Sequence, residues 1–106
     1  MNPHINISLH EQALNRSIAL DDGFTTFGRY LNSDICLEDP SISRDHGAFR
    51  YQFKVLSIED HGSRNGTFVN GLRVKRKVLY TGDRVKIGPF EVLIEAGSEF
   101  TVPMPG

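Results

Sequence analysis

The sequence predicts an all-β fold, an antiparallel sandwich or barrel of many short strands. Three observations carry this. Apolar residues recur with period two or in compact runs rich in β-branched and aromatic residues. Turn signals built on Gly, Asn and Asp interrupt the chain every several residues. Helical periodicity is almost absent: Glu11 to Asn15 has room for one helical turn, which Asp21-Asp22 and Gly23 soon interrupt.

The elements follow in order. Ile5, Ile7 and Leu9 alternate with Asn6 and Ser8, the pattern of a half-buried first strand. Ser17 to Leu20 reads as a second, closed by an Asp-Asp-Gly turn. Phe24 to Arg29 is a third and Asp34 to Leu37 a short fourth. Gly47 to Phe53 and Lys54 to Glu59 suggest an antiparallel pair, with no glycine to mark its turn. Thr67 to Val69 leads into Asn70-Gly71, a dipeptide suited to a two-residue hairpin because both central positions favour positive φ. Leu72 to Val74 and Lys77 to Tyr80 come next, and the basic residues between them (Arg73, Lys75, Arg76, Lys77) are expected to solvate a hairpin. Gly82-Asp83 introduces Arg84 to Ile87, and Gly88-Pro89 introduces Phe90 to Glu95. Residues 1–95 are expected to form one domain and residues 96–106 a C-terminal tail or linker; there are no internal repeats.

The 106 residues suffice for one core and not for two. A net charge of -1 provides no global basic field to draw in nucleic acid, so any anion-reading function must rest on local positive charge. No apolar run approaches the ~20 residues that span a bilayer, and the N-terminus lacks the order of a signal peptide. Cys36 is the only cysteine, which rules out an internal disulfide and fits a cytoplasmic location. It is expected to be a buried or half-buried structural thiol. His4, His10, His46 and His61 are scattered without ligand spacing, so no metal site is expected, nor any cofactor.

Three polar clusters stand at the ends of strand-like runs: Gly28-Arg29, Ser43-Arg44-Asp45-His46 and Gly62-Ser63-Arg64-Asn65-Gly66-Thr67. Guanidinium, hydroxyl and carboxamide groups on loops of a rigid β scaffold make a recognition surface. A phosphothreonine carries about -1.5 to -2 charge near neutral pH and three strong acceptor oxygens. Arg29 can offer it a planar, always charged fork, Ser43 a hydroxyl donor and Arg44 a second cation with a backbone N–H. The Asn65 amide holds donors and an acceptor together, the set needed to grip a peptide backbone.

The clusters, in this order, resemble the forkhead-associated (FHA) domain. That family runs Gly-Arg, Ser-x-x-His, Ser-x-Asn-Gly-Thr, Asn-Gly, Gly-Asp and a terminal Gly. Here these read Gly28-Arg29, Ser43 to His46, Ser63 to Thr67, Asn70-Gly71, Gly82-Asp83 and Gly88, spanning roughly residues 5–95. The resemblance implies a β-sandwich of eleven short strands with ligand loops at one end, binding phosphothreonine peptides. It further implies that Arg29 and Ser43 contact the phosphate, with Arg44 contributing, and that Asn65 bonds the ligand main chain. Arg64 stands where the family frequently has threonine and is taken as a further contact. Gly28, His46, Ser63, Gly66, Thr67 and Asn70 are expected to support the loops, Gly28 by letting the chain bend at the strand end. A small pocket for the threonine γ-methyl is also implied; one methyl is worth roughly 1–3 kcal/mol of discrimination.

The sequence departs from the common pattern at three places. Gly47 stands where alanine is usual, which is expected to loosen the strand start. Asp45 puts an acid inside the phosphate cluster, with its side chain expected to point outward. His61 replaces a frequent apolar residue. The reading is therefore a phosphothreonine-dependent peptide-binding module without catalytic activity, monomeric as an isolated domain, whose partner is a phosphothreonine protein in trans or in cis from its own parent chain. The alternative is a phospho-independent scaffold or oligomerisation module on the same fold. A hydrolase on Ser43 and His46 lacks the Gly-x-Ser-x-Gly nucleophile turn. Nucleic-acid or membrane partners are not expected.

Overall fold

Alternation in the sequence becomes two sheets packed face to face. The computed structural model describes residues 2–9 and 12–99. Eleven strands form: β1 (His4–Leu9), β2 (Gln12–Ala19), β3 (Gly23–Gly28), β4 (Ile35–Cys36), β5 (Gly47–Gln52), β6 (Val55–Asp60), β7 (Phe68–Val69), β8 (Leu72–Arg73), β9 (Arg76–Val78), β10 (Arg84–Ile87) and β11 (Phe90–Ala96). One sheet has the order β2-β1-β11-β10-β7-β8, the other β4-β3-β5-β6-β9. All pairings among the described residues are antiparallel except β3 with β4. The β-sandwich expected from the sequence is thus the fold.

The inward face of each strand supplies the core. In β10 the alternation puts Val85 and Ile87 inside and Arg84 and Lys86 in water. Ile5, Phe27, Phe49, Leu56, Ile58, Val92 and Ile94 meet them from both sheets. Burying each such side chain is worth about 1.5–3 kcal/mol, which fixes strand register and therefore where the loops emerge.

The expected β5–β6 pair forms, and three other local expectations are revised. Gln12–Asn15 is strand, not a helical turn, because Asn15 and Gln12 pair with Ser8 and Leu9 of β1; Glu11 lies outside the described residues. The β5–β6 turn needs no glycine: Phe53 and Lys54 take φ of 53° and 61°, the two positive values of a hairpin whose twist matches its strands. The basic run is not a hairpin. Strand β8 closes the edge of one sheet and β9 the edge of the other, so residues 74–75 cross between sheets. At the C-terminus β11 runs to Ala96, and Ser98 still bonds into the sandwich: its Oγ accepts the Leu56 N–H at 2.9 Å and its N–H donates to the Leu79 carbonyl at 3.0 Å. Residues 100–106 of the expected tail lie outside the described residues.

Candidate functional site

Three loops gather at one end of the sandwich: β3–β4 with Arg29, β4–β5 with Ser41 to His46, and β6–β7 with Gly62 to Thr67. Backbone bonds lay the second along the end of β3. Arg29 and Tyr30 donate their N–H groups to the carbonyls of Ser43 and Arg44 at 3.1 and 3.2 Å, and the His46 N–H donates to the Phe27 carbonyl at 3.2 Å. This close approach explains Gly28, since a Cβ there would collide with the Arg44 carbonyl. Gly28 serves by clearance rather than by bending the chain.

The expected contact residues Arg29, Ser43, Arg44, Arg64 and Asn65 all line one cleft of about 360 Å³, completed by residues 40–42. Arg29 Nε donates to the Ile42 carbonyl at 3.1 Å, which aims the guanidinium; its terminal nitrogens have no partner among the described residues. Ser43 Oγ accepts the Arg64 N–H at 3.0 Å, so the hydroxyl hydrogen remains for an incoming acceptor. The side chains of Arg44 and Arg64 are exposed and unpaired within the described residues. Asn65 Nδ2 donates to the Ser41 carbonyl at 2.8 Å and leaves Oδ1 to face a ligand. A larger cleft of about 600 Å³ opens on the other side of Asn65, along Phe68, Arg84 and Lys86. Its Arg84 is paired with Glu91 at 2.9 Å, which leaves Lys86 as its one unpaired cation among the described residues, against three arginines around the smaller cleft.

Beneath the cleft the loops are tied together. His46 is fully buried against Phe27, with ring centroids 5.8 Å apart. Its Nδ1 accepts the Ser43 N–H at 3.2 Å, so its Nε2 carries the hydrogen and donates to the Gly66 carbonyl at 3.0 Å. Asp60 is the second organiser. Oδ1 accepts the Ser63 N–H at 2.7 Å, and Oδ2 accepts the hydroxyls of Ser63 and Thr67 at 2.5 and 2.8 Å. Burial raises the Asp60 pKa, but the Ser63 hydroxyl and N–H and the Thr67 hydroxyl outweigh it and hold the carboxyl below its ordinary range. Ser63 Oγ also accepts the Gly66 N–H at 3.0 Å. Gly66 turns the chain at φ 92°. Asn70, at φ 49°, locks the far end of β7: Oδ1 accepts the Arg84 N–H and Nδ2 donates to Asp83, both at 3.0 Å.

Sequence reasoning missed two organisers. Asp60 was legible only as Asp-x-x-Ser, a spacing that lets a carboxylate cap the following turn. Asp39, in Asp-Pro-Ser, does the same for Ser41: Oδ1 accepts the Ser41 hydroxyl and N–H at 2.5 and 2.9 Å, and both bonds lower its pKa. That turn presents the Ser41 carbonyl to Asn65. Asp45 is drawn outward from the cleft, its Oδ1 2.7 Å from His61 Nδ1, while His61 Nε2 lies 3.3 Å from Glu59.

A β-sandwich with an arginine, serine and asparagine converging from three loops defines a phosphopeptide-recognition class of domain. The FHA domain family model matches residues 25–88, and the chain belongs to that family. FHA domains bind phosphothreonine and act as protein-interaction modules. The chain is 42% identical over 78 residues to the glycogen accumulation regulator GarA of Mycobacterium tuberculosis, covering 74% of this chain and 48% of GarA. It is 44% identical over 78 residues to the oxoglutarate dehydrogenase inhibitor of Corynebacterium efficiens, covering 74% and 55%. The chain thus spans about half the length of the curated relatives it matches. Among solved structures, the FhaA FHA domain complexed with the intracellular domain of Rv3910 superposes with a TM-score of 0.76 at 29% identity, covering 85% of this chain and 98% of that one. No helix among the described residues is long and apolar enough to cross a membrane.

Proposed function

We propose that the cleft between the three loops seats a phosphothreonine, with Arg29, Ser43 and Arg44 on the phosphate and Asn65 on the ligand backbone. The observation that carries this reading is the convergence of an aimed, terminally unpaired Arg29 guanidinium with a Ser43 hydroxyl whose oxygen is already satisfied. Charge-assisted bonds of this kind are roughly twice as strong as neutral ones. Arg64 lies on the same rim and contacts the phosphate or the peptide flank. Asp45, held by His61, does not oppose the incoming charge.

The module docks and does not catalyse. Both His46 nitrogens are committed to backbone groups, and Ser43 Oγ faces the Arg64 N–H rather than the imidazole, so no base is presented to a nucleophile. A cytoplasmic phosphoprotein, or a phosphorylated segment of the parent chain, is the partner. GarA and the oxoglutarate dehydrogenase inhibitor are a regulator and an inhibitor by name, which supports regulation by docking on a partner protein.

The test is a degenerate phosphothreonine peptide library beside its phosphoserine and unphosphorylated counterparts. Enrichment of phosphothreonine, abolished by Arg29→Ala or Ser43→Ala in a folded protein, is expected. Equal binding across the three libraries, or retention after Arg29→Ala, would instead establish a phospho-independent scaffold.

A further inference from the structure

The basic run left unused by the cleft lies one loop away from it. Arg73, Lys75, Arg76 and Lys77 are all exposed, and none forms an ion pair among the described residues. They sit where both sheets end, on β8, on β9 and on the crossing between them. Arg73 and Lys75 line a cleft of about 580 Å³ whose other wall is Asp60, Gly62 and Ser63. Gly62 and Ser63 begin the same β6–β7 loop whose Arg64 and Asn65 line the phosphate cleft, so one loop separates the two clefts. Arg73 passes beside that loop, its Nε 2.7 Å from where a Cβ on Gly66 would stand.

Two acidic residues border this run, and both are committed elsewhere. Asp60 accepts from Ser63 and Thr67. Glu59 pairs with Arg76 in the β6–β9 register, yet its carboxylate lies 3.3 Å from His61 Nε2. Edge strands often carry charge to block sheet-to-sheet association. That purpose is met by either sign, and by mixed signs. Here four cations of one sign stay unpaired in a chain of net charge -1.

We propose that this basic edge is a second anion-docking surface that engages an acidic or second phosphorylated stretch of the same ligand chain, while the first cleft holds its phosphothreonine. The inference rests on the phosphothreonine reading above. A ligand seated by Arg29 and Asn65 needs only to pass the β6–β7 loop to reach Lys75, Arg76 and Lys77. The edge then selects phosphothreonine segments with neighbouring negative charge and steers their approach.

The test uses the phosphothreonine peptide best enriched from the degenerate library. It is compared with versions carrying three glutamates, or a second phosphothreonine, beyond a short Gly-Ser spacer on the N-terminal or C-terminal side. An extension on one side is expected to tighten binding about five- to tenfold at low salt, as a few rim ion pairs allow. The gain should shrink as salt shortens the screening length. In K75Q/R76Q/K77Q, and in the charge-reversed K75E/R76E/K77E, the gain disappears; in the neutral variant the unextended peptide keeps its affinity within about threefold at about 0.15 M salt, where exposed charges more than ~8 Å apart are largely screened. Arg29→Ala abolishes binding of both peptides. Equal affinity of extended and unextended peptides for the unaltered protein, or a gain that survives in both triple variants, overturns the proposal. Failure of the unextended peptide to bind overturns the phosphothreonine reading itself. Capture of an unphosphorylated single-stranded oligonucleotide through the same three residues, with no gain from peptide extension, overturns it in favour of a nucleic-acid partner.

Discussion

The His46 Nε2 lies 3.0 Å from the Gly66 carbonyl, twenty residues further along the chain. With Nδ1 accepting the Ser43 N–H, one buried ring holds the loop that carries Ser43 to the loop that carries Asn65. The proposed recognition residues Ser43 and Asn65, on two separate loops, thus share a buried brace beneath the Ser43–Arg64 and Asn65–Ser41 bonds.

Replacing His46 by phenylalanine keeps a ring in the site but deprives the Ser43 N–H and the Gly66 carbonyl of their partner. Each buried unsatisfied group costs about 1–3 kcal/mol, so His46→Phe should lose about 2–4 kcal/mol in urea unfolding. Calorimetry at a temperature where the variant is fully folded should show weaker phosphopeptide binding as well. Unchanged affinity would mean that the two loops are set independently of the brace.

Asp60 should matter through its charge. An asparagine in its place would turn an amide toward hydroxyls that now donate to Oδ2, so Asp60→Asn is expected to cost about 2–3 kcal/mol at neutral pH. The folded pKa is depressed below its ordinary 3.8, so the stabilisation is complete above that value. It is lost as pH falls through 3.8 and on through the folded pKa. Denaturant midpoints for the two proteins should therefore converge in acid. A gap that widens in acid, below the ordinary carboxylate pKa, would contradict this account.

The fold was legible because β periodicity survives in short strands: β1, β10 and most of β11 lie where alternation and turn glycines place them. The early part of β2 was not, because Gln12 to Asn15 is strand by pairing with β1 rather than by its own pattern. The turn between Phe53 and Lys54 was legible in position but not in its backbone, since strand pairing imposes positive φ on residues that do not advertise it. At the site, Arg29, Ser43 and Asn65 could be read from motif order. Asp60 and Asp39 could not be, because an organising carboxylate is visible only once its donors are in place.

Arg29 contributes an aimed fork as well as a charge. Lysine at this position cannot both hold the Ile42 carbonyl and present a planar pair of donors. Arg29→Lys is expected to weaken phosphothreonine peptide binding about ten- to a hundredfold, the loss of one or two charge-assisted bonds. The side chain is exposed, so thermal stability should stay close to that of the unaltered protein. Comparable affinity in a titration would show that net charge alone suffices.

Gly47 was expected to loosen the start of β5, and the structure gives it the opposite role. A Cβ there would collide with the Glu59 carbonyl and stand 2.7 Å from the Phe27 ring, in the packed layer beneath His46. Gly47→Ala should therefore destabilise by about 1–3 kcal/mol, the usual cost of overpacking. A raised melting temperature would show that β5 and β6 separate freely enough to admit the methyl.

His61 gives the pH dependence its opposite sign. The hydrogen bond to Asp45, with the charges of Asp45 and Glu59, raises its pKa above the ordinary 6.5 despite partial burial. A raised pKa means that the folded state favours the protonated ring. The stabilisation is present in full below 6.5, then fades as pH rises through 6.5 and the folded pKa. His61→Gln should therefore be less stable than the unaltered protein at about pH 5.5 and nearly equal to it by about pH 9. Unfolding should be followed without ligand, because the phosphate's own second ionisation near pH ~6 would otherwise change binding over the same range. A deficit that grows toward alkaline pH would mean that the neutral imidazole, not the imidazolium, holds Asp45 away from the cleft.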